Sequence, residues 1–278
     1  MIRDKIEIIN GSLIQHGKNN DRIYIMKINT EDTDTLIKSV NELAALNKYS
    51  KIFAKIHASQ KDDFLKDGYK EEARIENYFN GVSDALFMTK YLSAKRAVLK
   101  NKPEIESVIQ IAKNKKNTDL KKTLINFEII KCSKLHSRQM SELYKSVFKT
   151  YPFAIDDPEY IEKTMDENII YFAAVKNEKI IAMSSCETDI KSQSAEMTDF
   201  ATDPKYAGNG IALELLKVME TNMIKNNIIT VYTIARAVSV PMNITFARNG
   251  YSYSGTLINN TNISGSIESM NVWSKKLK

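Results

Sequence analysis

The hexamer Phe64-Leu65-Lys66-Asp67-Gly68-Tyr69 returns as Phe246-Ala247-Arg248-Asn249-Gly250-Tyr251, matched position for position in chemistry. In both places the hexamer closes a short helix. An apolar strand precedes each copy (Lys51 to Ile56, Ile229 to Ala235), and two polar-edged strands follow. A methionine stands 20 residues beyond each glycine, Met88 after Gly68 and Met270 after Gly250. Upstream, a strand at Ile23 to Ile28 and a helix at Leu36 to Leu46 echo a strand at Ala195 to Thr202 and a helix from about Gly210 to Asn226. A chance hexamer is cheap, but one embedded in the same element order points to a duplicated half-domain.

At 278 residues the chain suits roughly two units. We divide it into a half-domain over residues 1–95, a connector over 96–124 and a larger domain over 125–278. The connector is rich in lysine and asparagine, with Pro103 near its start. Ile105, Val108, Ile109 and Ala112 give it one helical face, and its charges read as a solvated one. The larger domain reads β-α-α-β-β-β-α-β-α-β-β. Asp157-Pro158 opens its second helix, and Lys176-Asn177-Glu178-Lys179 makes a hairpin turn between two apolar strands. The expected class is α+β, with a mixed sheet that is largely antiparallel and turns parallel where a helix crosses over.

The two copies part where chemistry would occur. In the second, the acid-bearing strand Ala195-Glu196-Met197-Thr198-Asp199-Phe200-Ala201-Thr202 runs through Asp203-Pro204 into Lys205-Tyr206-Ala207-Gly208-Asn209-Gly210-Ile211-Ala212. Gly208 and Gly210 let the backbone turn tightly and approach a ligand without interference from a Cβ. The amides of Asn209, Gly210, Ile211 and Ala212 then converge at a helix N-terminus, which favours a phosphate. The first copy enters its helix through Asn29-Thr30-Glu31-Asp32-Thr33-Asp34, without glycine and with three acids, which repel a phosphate there. A dinucleotide fingerprint would need glycine or alanine at Leu213 and an acid ending the next strand, where Thr233-Ile234-Ala235-Arg236 stands. Gly-Lys-Ser/Thr, the mark of a nucleotide-triphosphate loop, is missing too.

The formal charge of +6 comes from 40 basic and 34 acidic residues that are scattered rather than striped, so no nucleic-acid partner is expected. Cys132 and Cys186 form no CxxC pair, and His16, His57 and His136 show no ligand spacing, so no metal is expected. The densest apolar stretch, Ile169 to Val175, is too short to span a bilayer, and the mixed-charge start Met1-Ile2-Arg3-Asp4-Lys5 is no secretory signal. The expectation is a cytoplasmic enzyme without a membrane partner; a homodimer is left open.

Gly208-Asn209-Gly210-Ile211-Ala212 resembles the acetyl-CoA loop of the GNAT acyltransferases, Gln/Arg-x-x-Gly-x-Gly/Ala. The likeness extends from Ile125 to Lys278 and includes the helix–Gly–Tyr ending. It implies a GNAT acyltransferase fold with an N-terminal GNAT-like half-domain, and acetyl-CoA as co-substrate. Ala195-Glu196 is similar to the start of the strand that carries the base glutamate in the histone-acetylating branch. Over the whole chain the resemblance narrows to the β-lysine N6-acetyltransferases. It is carried by Gln15-His16-Gly17, Asn20-Asp21-Arg22-Ile23-Tyr24, Lys51-Ile52-Phe53-Ala54-Lys55, the run Ala195 to Thr202, and Met270-Asn271-Val272-Trp273. That family makes Nε-acetyl-β-lysine, a compatible solute, so β-lysine is the small-molecule acceptor the resemblance implies.

An amine near pKa 10 must lose a proton before it attacks a thioester. Glu196 is the first candidate for the base and Asp199 the second. Strand alternation puts Glu196 and Thr198 on one face and Met197 and Asp199 on the other, so one acid is expected to face substrate. A backbone amide at Ala201 or Thr202 would hold the developing oxyanion. The proton donor usual in this superfamily, a tyrosine four residues before the helix-ending glycine, is Phe246 here. Tyr251, Tyr253 or water would substitute, or the thiolate would leave unassisted. Arg236 is the candidate for the substrate carboxylate, with Tyr232, Asn243, Asn259 and Asn260 for polar contacts. Two alternatives stay open: acetylation of another amine (lysine, a polyamine or a protein lysine), and an acyl-CoA-binding protein without activity.

Overall fold

A computed structural model describes residues 4–29, 32–116 and 125–278. Thr30, Glu31 and the end of the connector, residues 117–124, lie outside the described residues. The first half runs β1 (Lys5–Ile9), β2 (Ser12–Gly17), β3 (Arg22–Lys27), α1 (Thr33–Asn47), β4 (Lys51–His57), α2 (Lys61–Lys66), β5 (Lys70–Phe79) and β6 (Ser83–Tyr91). Two helices follow, α3 (Ala94–Ala97) and α4 (Lys102–Asn114). The second half runs β7 (Glu128–Lys131), α5 (Ser137–Val147), α6 (Pro158–Glu167), β8 (Ile169–Lys176), β9 (Lys179–Asp189), β10 (Ser194–Thr202), α7 (Ile211–Lys225), β11 (Thr230–Arg236), α8 (Val240–Arg248), β12 (Ser252–Ile263) and β13 (Ser266–Lys276). This is the element order expected for that half.

Local chemistry explains the helix starts. The Asp32 carboxylate accepts from the Thr35 amide at 2.9 Å and caps α1, which buries Leu36, Ile37, Val40 and Ala44 at helical spacing. Asp157 caps α6 in the same way, with Pro158 at the first position, where a missing N–H is harmless.

Among the described residues, thirteen strands form one sheet in the order β1-β2-β3-β4-β6-β5-β12-β13-β11-β10-β9-β8-β7. Read outward from the β5–β12 junction, both halves show the same sequence of strands. In each, one helix crosses over between a parallel pair: α1 between β3 and β4, α7 between β10 and β11. The repeated hexamers agree in detail. The rings of Phe64 and Tyr69 meet edge-on at 4.9 Å, and those of Phe246 and Tyr251 at 5.0 Å. In each copy the tyrosine amide donates to the phenylalanine carbonyl at 3.1 Å. The methionines do not correspond. Met88 packs with Leu36 and Val40 under α1, whereas Met270 packs with Tyr24 and Tyr232 on the other face of the sheet. A one-residue difference in register reverses the face of every side chain, so equal spacing alone does not make two positions equivalent.

The halves are joined tightly. Gly255 of β12 lies opposite Ala73 of β5 with φ +145°, and a Cβ there would stand 2.6 Å from the Ala73 Cα and against the Glu72 carbonyl. Beside it, the buried Lys51 ammonium pairs with Glu72 at 3.1 Å and donates to the Ile258 carbonyl at 2.7 Å. Glu72 also accepts from Thr89 at 2.6 Å and from the Tyr91 hydroxyl. The connector is less free than its composition suggests. Ile105, Val108, Ile109 and Ala112 of α4 are all buried, and Ile105 and Ile109 pack with Ala237, just ahead of α8. The charges on the opposite face of α4 remain in solvent, as expected. No helix of the described residues is long and apolar enough to cross a membrane.

Candidate active site

Alternation along β3 and β4 sends Ile23, Ile25, Ile52, Ala54 and Ile56 beneath α1, and Arg22, Tyr24, Phe53 and Lys55 to the opposite face. In β10 and β11, Ala195, Met197 and Val231 pack under α7, while Glu196 and Tyr232 point the other way. The second set of side chains from both halves lines one cavity of about 890 Å³. Tyr151, Phe153, Tyr160 and Thr164, from the segment after α5 and from α6, cover it.

The strands that build the site separate at the point that matters. Parallel pairing of β10 with β11 stops at Glu196 opposite Tyr232, although the strands continue to Thr202 and Arg236. Thr233, Ala235, Phe200 and Phe246 also line the cavity, so it passes between the parting strands toward the face that carries α7 and α8. Backbone groups along such an opening are free for a ligand.

A β-bulge between Thr198 and Ala201 changes the expected facing of β10. The extra residue reverses the alternation beyond it. Asp199, with φ +56°, therefore turns into the cavity together with Glu196, which corrects the expectation that one acid alone faces substrate. Asp199 is engaged: it accepts from Tyr151 at 2.5 Å and from Ser185 at 2.6 Å. Burial raises its pKa, and those hydrogen bonds work against the rise. The same reversal takes Ala201 from the α7 side into the core beside Met140 and Met183. Thr202 ends the strand, opposite Ala182.

Glu196 is poised differently. Burial first and then the neighbouring Glu187 push its pKa up to about 8, while Lys55 and the facing Tyr232 hydroxyl pull it down. Lys55 donates to that hydroxyl at 3.1 Å and lies over the rings of Tyr78 and Tyr232 at 5.2 and 5.5 Å. Burial opposes its charge, but the Tyr78 and Tyr24 hydroxyls and Glu187 outweigh that and keep it an ammonium ion. Tyr232 therefore connects a cation from the first half to the candidate base from the second.

The loop from Gly208 to Ala212 opens α7. Gly208 and Gly210 have φ +79° and +75°, left-handed values that favour glycine. Gly210 is the N-cap and offers no side chain, so the first amides of α7 keep no intrahelical partner. Asn209 folds its amide back onto the Tyr206 carbonyl at 3.0 Å, which fixes the loop from within. A Cβ on Gly208 would meet nothing within 4 Å. These features fit a pyrophosphate.

Three expected site residues do other work. Asn243 is fully buried in α8, where it donates to the carbonyls of Arg236 and Ser239 and accepts from Asn271 and Trp273. All its capacity is used, so it braces β13 against α8 and has nothing left for a ligand. Tyr251 is a core residue packed on Phe246, its hydroxyl buried beside Glu220 and outside the cavity lining, so it cannot serve as the acid of this site. Arg236 lines the cavity, but its Nε and Nη2 are held by Glu268 at 2.8 Å each. Sequence reasoning gave no role to Arg22, Tyr24, Lys55, Glu187 or Tyr151, all of which line the cavity. The available signal was a charged residue at an alternate position of an apolar strand, as in Lys51-Ile52-Phe53-Ala54-Lys55. Among the described residues no group of His, Cys, Asp and Glu is arranged to hold a metal ion.

Comparison with known proteins adds a second line. The pattern of the Acetyltransferase (GNAT) family matches residues 137–251, which contain α5 through α8 and both carboxylates. The chain is 45% identical to the Beta-lysine N(6)-acetyltransferase of Methanococcus maripaludis over 98% of each protein. It is 32% identical to the N-acetyltransferase YodP of Bacillus subtilis over 96% of each. A Beta-lysine N(6)-acetyltransferase of Methanosarcina mazei is 28% identical, over 86% of this chain and 96% of that protein.

Proposed function

The chain belongs to the GNAT acetyltransferase family and is an N-acetyltransferase, and from that premise we propose that it moves the acetyl group of acetyl-CoA to the N6 amine of β-lysine. The observation that carries the chemistry is Glu196: a carboxyl group poised near neutrality, facing a cavity shared by both halves, on the strand that leads to the amide loop. The choice of amine rests on the names borne by the relatives from Methanococcus maripaludis and Methanosarcina mazei.

In this reading the amides at Gly208 to Ala212 hold the pyrophosphate of acetyl-CoA, and the opening between β10 and β11 admits its acyl end. Acetyl-CoA supplies an activated thioester carbonyl. The amine arrives as an ammonium ion, and Glu196 removes its proton, directly or through water. A carboxylate whose pKa lies far above the ordinary range is the stronger base for that step. Asp199, already bonded to Tyr151 and Ser185, holds the bulge and the negative field of the pocket in place. The amine nitrogen bonds to the acetyl carbon, an amide of the Ala201–Thr202 stretch steadies the oxyanion, and the C–S bond breaks. With phenylalanine at position 246, Tyr251 in the core and the Tyr253 hydroxyl bonded to Thr256 outside the cavity lining, the thiolate leaves unassisted or takes its proton from water. The product, Nε-acetyl-β-lysine, would serve as a compatible solute.

Thiol release measured with β-lysine, lysine and spermidine tests the substrate. β-Lysine is expected to give the highest kcat/KM. A clear preference for spermidine or lysine would reject it as the acceptor, and acetyl-CoA binding with no thiol release on any amine would favour a sensor.

A further inference from the structure

We propose that Arg22, contributed by the first half, binds the carboxylate of the amino-acid substrate. This rests on the reading of the acceptor as an amino acid with a distal amine, and it gives the duplicated half a direct part in substrate selection.

Arg22 lies on the cavity face of β3 and is 4% exposed. Its Nη1 donates to the Asn260 carbonyl at 2.6 Å and to the Thr261 hydroxyl at 3.1 Å. The guanidinium carbon stands 5.4 Å from the Tyr24 ring and 5.5 Å from the Phe53 ring. One corner of the fork is thus fixed to β12 across the half–half junction, and aromatic rings from β3 and β4 hold the rest. The Nε–H is buried without a partner. Among the described residues no carboxylate lies within ion-pairing distance of Arg22, and burial has pushed its pKa down to about 10.

The other cations of the cavity and the junction, buried or half-buried, are each provided for. Lys51 has Glu72, Arg96 has Asp21 at 3.7 Å, and Arg236 has Glu268. Lys55 has Tyr232 and the field of Glu187. An unpaired buried guanidinium is costly to keep, and the usual compensation is a bidentate carboxylate. Among the described residues none supplies it, the Asp4 charge acting on Arg22 only from beyond ion-pairing distance, so the geometry points to one that arrives with the ligand. The cavity carries charges of both signs, with Lys55 beside its buried acids. Glu187, Glu196 and Asp199 come from the second half and Arg22 from the first. A diamino acid carries the complementary pattern, a carboxylate at one end and an ammonium group at the other.

The test uses full-length protein and matched acceptors: β-lysine with the diamine left when its carboxyl group is removed, and lysine with cadaverine. Wild type is expected to prefer the carboxylate-bearing member. In Arg22→Gln the KM for that member should rise about 10- to 100-fold with kcat nearly kept, so the preference collapses. Arg22→Lys, which keeps the charge but loses the fork, should fall between the two. Both members are assayed on one preparation, so a loss of folded enzyme cancels from the ratio. A preference that survives Arg22→Gln, an equal loss on both members, or a wild type indifferent to the carboxylate would each overturn the assignment. The pair that wild type consumes reports separately on the substrate reading.

Discussion

Replacing Glu196 with glutamine should inactivate the protein and stabilise it at the same time. The Glu196 pKa in the folded chain is about 8 against 4.5 for a free side chain. The folded state therefore holds a proton that the unfolded chain releases as pH rises through 4.5. Between about 4.5 and 8 only the unfolded chain gains by ionising, so Glu196 costs stability increasingly over that window, and the cost levels off above it. Glutamine resembles the neutral form and escapes that cost. At about 1.4 kcal/mol per pH unit the ceiling is about 5 kcal/mol. Cavity water and the shared repulsion with Glu187 reduce it to ~1–2 kcal/mol, a rise in Tm of roughly 2–6 °C for a chain of this size. The gain should be present at pH 8.5 and vanish near pH 4. Turnover should drop by about 10² to 10⁴, the usual contribution of a general base, with acetyl-CoA affinity unchanged. Calorimetry across pH, with steady-state kinetics, checks both arms. A variant that is fully active, or that melts lower than wild type at pH 8.5, would refute the reasoning.

The pH dependence of kcat/KM should show an ascending limb near pH 8, where Glu196 loses its proton. Lys55 favours the ionised form, so Lys55→Met should move that limb to higher pH; an unmoved limb would disconnect Lys55 from the base. Gly208→Val places a branched side chain at φ +79° in otherwise open space. It should cost about 1–2 kcal/mol of stability and weaken acetyl-CoA binding about tenfold or more, and an unchanged Kd in titration calorimetry would contradict the loop assignment. Gly255→Ala drives a Cβ into the Ala73 backbone where the halves join, and the expected loss is about 2–4 kcal/mol by chemical denaturation. A loss below about 0.5 kcal/mol would mean that the junction yields freely.

Much of the scaffold was legible because it depends on local pattern. Pro158 at a helix start, the hairpin turn at Asn177-Glu178 and the repeated hexamers that close α2 and α8 are each set by a few neighbouring residues. Glu196 and Tyr232 were singled out from the same kind of pattern and both line the cavity, and Gly208 and Gly210 take the left-handed backbone their spacing suggested. What escaped depends on distant partners. The Glu268 that occupies Arg236 lies on the next strand, 32 residues along the chain, and Asn243 is saturated by Asn271 and Trp273 of β13. The bulge that turns Asp199 inward breaks the alternation from which its facing was read. Arg22 and Lys55 reach the cavity because two copies of one scaffold share a sheet, and the repeat disclosed the copies without showing which faces would enclose the site.

The most direct test of the central claim is the position of the acetyl group in the product formed from β-lysine and acetyl-CoA. NMR of the wild-type reaction is expected to show acetylation at the N6 amine alone, with one thiol released per acetyl group, and Glu196→Gln should yield this product at most about one-hundredth as fast. An acetyl group on the other amine, or N6 product made at the wild-type rate by Glu196→Gln, would contradict the account.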